Sequence, residues 1–466
     1  MIWGDYAVTN THVQISVHFE LLKPPVGFPK LEPTASGQAQ TLAIDELNSF
    51  KLQTRLSNEM TYLTLFTLGV VRHAAEDWNG AINRFNDALA QVDATASVLN
   101  QSHVFFYRGT SYLSKGDHSQ AIADYTQAIN LQPDNAENYN GRGAVYTIQG
   151  NYSQAIADFN QALKLKPDFA GAYSNRGTAY NEQGNYIQAI ADFNRVVELK
   201  PNDADSYYNR GVVYTRQNDH IKAITDYDQA LKLESDYTEA YVNRGIAYGS
   251  QGNYTQAIAD FNQALKLNPN DALAYYNRGL TYDKQGNYPQ AITDYTQTIK
   301  LKPDYATAYN ERGIAYKNQG NYSRSIADFT QAIKIQPNNA IAYNNRGNAY
   351  LDQSSYSQAI ADFTQAIKLQ PDLAETYNNR GNAYRYQRNY AKAISDYTQA
   401  IRLQPKLVGA CYNRAGAYSL QGDVKAAVED LQRAIDLDGS IRELAKIDAS
   451  FNNIRQDRQF QALVGQ

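Results

Sequence analysis

The chain repeats itself every 34 residues, without interruption, from Ser102 to Ile441, so that ten units begin at residues 102, 136, 170, 204, 238, 272, 306, 340, 374 and 408. A fixed period of this length overrides the count of about three domains that length alone suggests. A unit of 34 residues is too small to bury its own apolar face, and it folds by stacking on its copies.

Counted from Ala136 as the first place, the fourth place holds Phe105, Tyr139, Tyr173, Tyr207, Tyr241, Tyr275, Tyr309, Tyr343 and Tyr377, with Cys411 in the last unit. The eighth place is Gly from Gly109 to Gly381 and Ala415 at the end, and the eleventh is always Tyr. Apolar or small residues at i, i+4 and i+7 mark one buried face of a helix. A Gly inside a helix costs about 1 kcal/mol relative to Ala, so its recurrence predicts the close approach of a second helix. A unit that spends several Tyr per copy also accounts for 38 Tyr against 15 Phe in the whole chain.

Gln149-Gly150-Asn151-Tyr152 shows how the second helix is reached: Gly closes the first helix in a left-handed conformation, and Asn, Asp or Ser caps the next. The cap place is filled by such a residue in every unit, from Asp117 to Asp423. In the second helix small residues such as Ala155 and Ala162 flank an aromatic such as Phe159, which predicts an antiparallel helical hairpin. Pro ends eight of the ten hairpins, and Pro133-Asp134-Asn135-Ala136-Glu137 reads as helix stop and capping box together.

With these places read, the pattern resembles the tetratricopeptide repeat family, in a form with Asn-Arg-Gly at the sixth to eighth places, as in Asn175-Arg176-Gly177. The match spans residues 102–441. The resemblance implies an all-α, right-handed superhelical α-solenoid of helical hairpins, with first helices lining a concave groove and contacts between neighbouring units.

The ends depart from the period. Leu65, Gly69, Trp78, Ala81, Phe85 and Ala88 keep the spacing of a degenerate unit starting at Tyr62, followed by an insertion near Ala94 to Gln101, so residues 62–101 are read as one atypical repeat. A helix is expected over 41–61 ahead of it. After Gly439, Ser440-Ile441-Arg442-Glu443 predicts the start of a polar capping helix over 442–466, whose Phe451, Ile454, Phe460 and Leu463 cover the last hairpin. In residues 1–40, Val13, Ile15, Val17 and Phe19 alternate with polar residues, the period of a half-buried strand, and predict a short β-hairpin-like segment. Forty residues do not build an independent core, so this segment either packs on the first helices or is the remnant of a larger domain. It faintly resembles the last strands of TolB-like modules that precede such repeats in bacterial signalling proteins.

Three sets of polar residues recur with the repeat or stand near it. The seventh place is Arg in all ten units, from Arg108 to Arg414, and the twenty-third is Asp, from Asp124 to Asp430. Arg beside a hairpin core is costly unless paired, so these rows are expected to pair structurally rather than to bind phosphate or carboxylate. The sixth place is Asn175, Asn209, Asn243, Asn277, Asn345, Asn379 and Asn413, with Tyr107, Gly141 and Glu311 as exceptions. An amide both donates and accepts, and this row resembles the asparagine ladder of O-linked N-acetylglucosamine transferase repeats. That resemblance implies bidentate pairing with the backbone of an extended peptide; the alternative is that the Asn bridge neighbouring first helices or are solvated. The second place carries His103, Glu137, Gly171, Asp205 and Glu239, so no basic clamp for a chaperone tail is visible.

Several function classes are disfavoured. Net charge is −4 with no long Lys/Arg run, which argues against nucleic acid. The most apolar window, Tyr62 to Val71, is half of the roughly 20 residues a membrane helix needs, and no basic and then apolar leader opens the chain, so a cytoplasmic location is expected. One cysteine, in an aromatic place, predicts a buried, inert thiol and no zinc site. No metal spacing, phosphate loop or catalytic set emerges, so neither enzyme activity nor a cofactor is expected. The reading is a scaffold or adaptor that binds other proteins, the alternative being a sensor or recognition arm of a multidomain enzyme or signalling ATPase.

Overall fold

In the computed structural model, backbone is described for residues 2–8, 12–19, 40–43, 50–91 and 98–465, and side chains for residues 60–91 and 101–465. The chain divides into two compact units, Met1–Leu233 and Glu234–Gln466, with the division falling after the second helix of one hairpin, His220–Leu233, and before the first helix of the next, Thr238–Ser250.

Every 34-residue unit is a helical hairpin, and the array is an all-α solenoid. In the first compact unit the hairpin of residues 204–237 pairs Ala204–Arg216 with His220–Leu233; in the second, Ala340–Asp352 pairs with Tyr356–Leu369. The eighth-place glycines face a ring. A Cβ placed on Gly143 would lie 2.7 Å from Phe159 Cε1, and one on Gly347 2.7 Å from Phe363 Cε1. Phe159 and Phe363 are wholly buried, and sealing such a ring from water contributes about 2–3 kcal/mol. The close approach that the glycines forecast is therefore ring against backbone. Neighbouring hairpins meet through small residues, as where Ala162 and Leu163 of one second helix pack with Ala136 of their own hairpin and Ala172 of the next.

The Arg and Asp rows pair within each hairpin, in all ten. Arg Nε and Nη2 reach the two carboxylate oxygens at 2.6–2.8 Å, from Arg108–Asp124 to Arg414–Asp430. The third nitrogen turns to the preceding hairpin: Arg176 Nη1 donates to Asn160 Oδ1, and Arg346 Nη1 to Thr330 Oγ1 at 3.1 Å. The guanidinium also lies over the fourth-place ring of its own helix, 5.5 Å from the Tyr173 centroid and 5.6 Å from that of Tyr343. An Arg such as Arg176 or Arg346 thus ties its own hairpin shut through the carboxylate and fastens it to the preceding one through Nη1.

The turns hold a correction. Gly150 and its equivalents have positive φ, as expected, but Asn218, Ser354 and Arg388 take the same place at φ 61°, 60° and 61°. Side-chain caps form at Asp117, Asn321, Asn389 and Asp423, whereas Asn151, Asn185, Asn253, Asn287 and Ser355 make none. There the turn is closed by backbone, as where Asn151 N donates to Tyr146 O at 2.8 Å, and a cap side chain is dispensable.

Of the end segments, Phe50–Ala74 and Trp78–Ala90 form a hairpin with Gly69 against Phe85, the same pairing as in the regular repeats. Of the helix expected over 41–61, residues 50–61 belong to that first long helix, residues 41–43 are in the strand Gln40–Ala43 instead, and residues 44–49 lie outside the described residues. Residues 92–97 of the insertion lie outside the described residues, and Val98–Lys115 continues from there. Strands Ile2–Val8 and His12–Phe19 pair antiparallel with Val8 opposite Val13, and Gln40–Ala43 adds a third strand, with Ile15 opposite Gln40. The closing helix expected over 442–466 is instead three short pieces, Ile441–Ile447, a 3-10 turn Ala449–Ile454, and Arg458–Gly465. The breaks let Phe451, Ile454, Phe460 and Leu463 all turn into one core with Leu431 and Ala434.

Candidate functional site

The sixth place lies one residue before the paired Arg on each first helix, and all seven asparagines there are half-buried. Three of them bridge first helices. Asn175 Nδ2 donates to Asn140 Oδ1, Asn345 to Asn310 and Asn413 to Asn378, each at 3.0 Å. The acceptor is in each case an Asn at the fifth place of the preceding hairpin, so the bridge needs an amide there that is free to accept. Asn277 instead donates to Leu273 O of its own helix at 2.8 Å, and Asn243 has an interaction of its own. Asn209 follows a hairpin with Ser174 at the fifth place, and Asn379 one whose Asn344 accepts from Thr376 Oγ1. Neither Asn209 nor Asn379 makes a side-chain hydrogen bond among the described residues.

A single sequence row therefore contains amides with different occupations. The bridging ones each keep the carbonyl oxygen and one N–H beyond the bridge, while Asn209 and Asn379 keep the full donor and acceptor set. The bridging that the sequence left open as an alternative is thus found at three places; its acceptors were not legible because they stand 35 residues away, one place off the period.

The remaining chemistry is quiet. The Arg row is 15–19% exposed with its guanidinium nitrogens engaged, which leaves it poorly suited to a phosphate. Asp124 has its pKa raised, burial outweighing the guanidinium of Arg108. Burial also pushes the Cys411 thiol up, away from thiolate chemistry. Among the described residues no three His, Cys, Asp or Glu gather as metal ligands, and no helix is long and apolar enough to cross a membrane.

Helical hairpins repeated in register, with a Gly-to-ring contact inside nine of the ten, define a repeat solenoid. Comparison with protein families agrees: a "TPR repeat" model matches residues 109–147, 143–184, 177–218, 249–286, 281–320, 315–354 and 347–387, and "Tetratricopeptide repeat" models match 204–237, 374–407 and 408–440. The chain belongs to the tetratricopeptide repeat family.

None of the curated proteins compared with the chain matches it. Among solved structures, a tetratricopeptide repeat protein from Parabacteroides merdae is similar at 22% identity, covering 53% of this chain and 98% of its own, with a TM-score of 0.44. YrrB, described as a TPR protein with an unusual peptide-binding site, is 25% identical over 40% of this chain and 95% of its own, with a TM-score of 0.34. Yeast Tom70 is 16% identical over 87% and 99%, with a TM-score of 0.40.

Proposed function

We propose that this protein is an interaction scaffold whose first-helix face takes up an extended segment of a partner protein, with the sixth-place asparagines pairing to its backbone. The tetratricopeptide solenoid is a fold typical of protein–protein interaction scaffolds. The observation that carries the finer reading is the pair of half-buried amides, Asn209 and Asn379, that hold no partner of their own. A backbone peptide unit offers one donor and one acceptor, which an Asn side chain matches, so such pairing gives affinity with little dependence on the ligand's side chains.

The test is selection of binding peptides from a random library by the full chain, followed by titration against variants. Asn209→Ala should weaken peptides that engage the first compact unit, and Asn379→Ala peptides that engage the second, by about tenfold each, the 1.4 kcal/mol of one good hydrogen-bonded pair, with the melting temperature unchanged. Affinity that ignores both substitutions sinks the reading. The alternative, a recognition or sensor arm serving an enzyme or signalling ATPase, draws on the three antiparallel strands ahead of the helices.

A further inference from the structure

One hairpin breaks the polar pattern of the others. In repeats with Tyr at the twenty-fourth place, the buried hydroxyl is met from the first helix: Tyr125 by Thr110 at 3.0 Å, Tyr227 by Thr215 at 2.9 Å, and Tyr397 by Asn382 at 2.8 Å. In the hairpin of residues 272–305 those positions hold Leu280 and Asp283. Tyr295 is wholly buried, and its hydroxyl has no hydrogen-bond partner. Asp283 Oδ1 is likewise shut from solvent and unpartnered. The next first helix brings Glu311 to the sixth place, where most repeats have Asn.

These groups share one neighbourhood. The charge on Glu311 raises the pKa of Tyr276, Tyr295 and Tyr305, that on Asp283 acts on both Tyr295 and Glu311, and burial is the first cause throughout. Tyr276 stands 6.0 Å from Tyr295 and 5.2 Å from Tyr305, ring centre to ring centre, with tilted planes. One oxygen of Glu311 accepts from Asn310 Nδ2 at 3.1 Å, and Lys284 on the solvent side is the cation whose field reaches the pair. Among the described residues neither carboxylate forms an ion pair.

We propose that Asp283, Glu311 and the hydroxyl of Tyr295 form a receptor for a basic side chain of the partner polypeptide, an arginine above all, with Tyr276 and Tyr305 flanking it. Two carboxylates that form no ion pair call for a cation, and a cluster of oxygens lacking donors suits a guanidinium, which brings five N–H groups and no acceptor. Its flat face is also the kind that aromatic rings hold. Asp283 and Glu311 are only half-buried, which leaves a way in from solvent. The inference rests on the peptide-binding reading and adds to it a side-chain preference at one repeat.

The experiment titrates the full chain with two peptides that differ at one position, arginine against the neutral isostere citrulline, and separately with methylguanidinium followed by the NMR signals of the tyrosine rings. The arginine peptide should bind at least tenfold more tightly. In Asp283→Asn/Glu311→Gln, and in Glu311→Asn, which restores the residue common to other repeats, that preference should fall to within twofold while the citrulline peptide keeps its affinity and melting does not drop. Equal binding of both peptides overturns the receptor and leaves the peptide groove standing. If neither peptide binds but methylguanidinium moves the tyrosine signals in the parent chain and not in the variants, the receptor stands and the groove reading falls. Silence in both arms overturns both.

Discussion

Arg210 holds Asp226 by two parallel hydrogen bonds, Nε to Oδ2 at 2.8 Å and Nη2 to Oδ1 at 2.6 Å, while its Nη1 donates to Asn194 of the preceding hairpin at 2.9 Å. The carboxylate is 6% exposed and the guanidinium 18%, so the pair sits where breaking it strands a charge. Its Nη1 bond makes the pair a joint between hairpins as well as a clasp within one.

Asp226→Ala should therefore destabilise the protein by about 3 kcal/mol, the low end for a pair broken on one side because Arg210 keeps some water. The double change Arg210→Met/Asp226→Leu should recover most of that loss, since no unpaired charge remains. Repeat arrays unfold in coupled segments, so the measurement is amide hydrogen exchange across Ala204–Leu233, with the neighbouring hairpins as reference. Equal loss in the single and double variants would show that the geometry of the clasp, rather than its charge balance, matters.

The last repeat carries its own control for the glycine contact. Ala415 stands where the other nine units have Gly, and Leu431 where they have Phe or Tyr, and both are wholly buried. A methyl at the eighth place is thus accommodated when the ring opposite is absent. Gly143→Ala should cost about 1–3 kcal/mol by overpacking against Phe159, and Gly143→Ala/Phe159→Leu should be closer to the parent than the sum of the two single changes. A thermodynamic cycle on thermal unfolding reads the coupling; additive effects would contradict the contact.

Three turns of the regular repeats hold a side chain in a conformation that disfavours one. Arg388 and Ser354 have φ of 61° and 60° at the place where Gly stands in seven other repeats. Neither is among the residues that visit this region readily, so each stores about 1 kcal/mol. Arg388→Gly and Ser354→Gly should raise stability by about 0.5–1 kcal/mol each, net of the entropy that Gly adds to the unfolded chain. Asn218→Gly should gain less, because Asn tolerates the left-handed region. Denaturant midpoints of the three variants give the order.

What the sequence disclosed follows from what the repeat multiplies. Arg at the seventh place and Asp at the twenty-third recur ten times, so their pairing was legible; the third bond of Arg176 or Arg346 was not, because its partner varies between Asn and Thr, as at Asn160 and Thr330. The Gly row announced a close approach without saying that Phe159 or Tyr227 would be the object approached, although the joint change to Ala415 and Leu431 carried that signal. The Asn row was visible as a row, but the bridges of Asn175, Asn345 and Asn413 depend on the residue 35 positions earlier. Asp283 and Glu311 are single departures from the repeat, and nothing short of three-dimensional adjacency joins them to Tyr295. The breaks at Asp448 and in Gln456-Asp457 lie outside the periodic region, where no second copy exists to compare.

Glu311 makes stability depend on acidity in a direction opposite to that of a carboxylate whose pKa is lowered in the fold, such as Asp77 beside Arg72. Burial, aided by the charge of Asp283, lifts its pKa above the ordinary carboxylate value, with Asn310 and Lys284 pulling the other way; burial lifts Asp283 as well. Between the unfolded value, about 4.3 for Glu, and the higher folded one, the folded chain binds more protons than the unfolded chain. Stability contributed at this site is therefore fully present below the unfolded value and is lost as pH rises through the folded one. Glu311→Gln carries no such proton, so it should melt higher than the parent at neutral pH, with the gap closing as pH falls below the ordinary carboxylate range. Melting curves of parent and variant from pH 3 to 8, recorded side by side so that the other carboxylates cancel, measure the difference; a gap that stays constant with pH would mean that Glu311 titrates alike in the folded and unfolded chain.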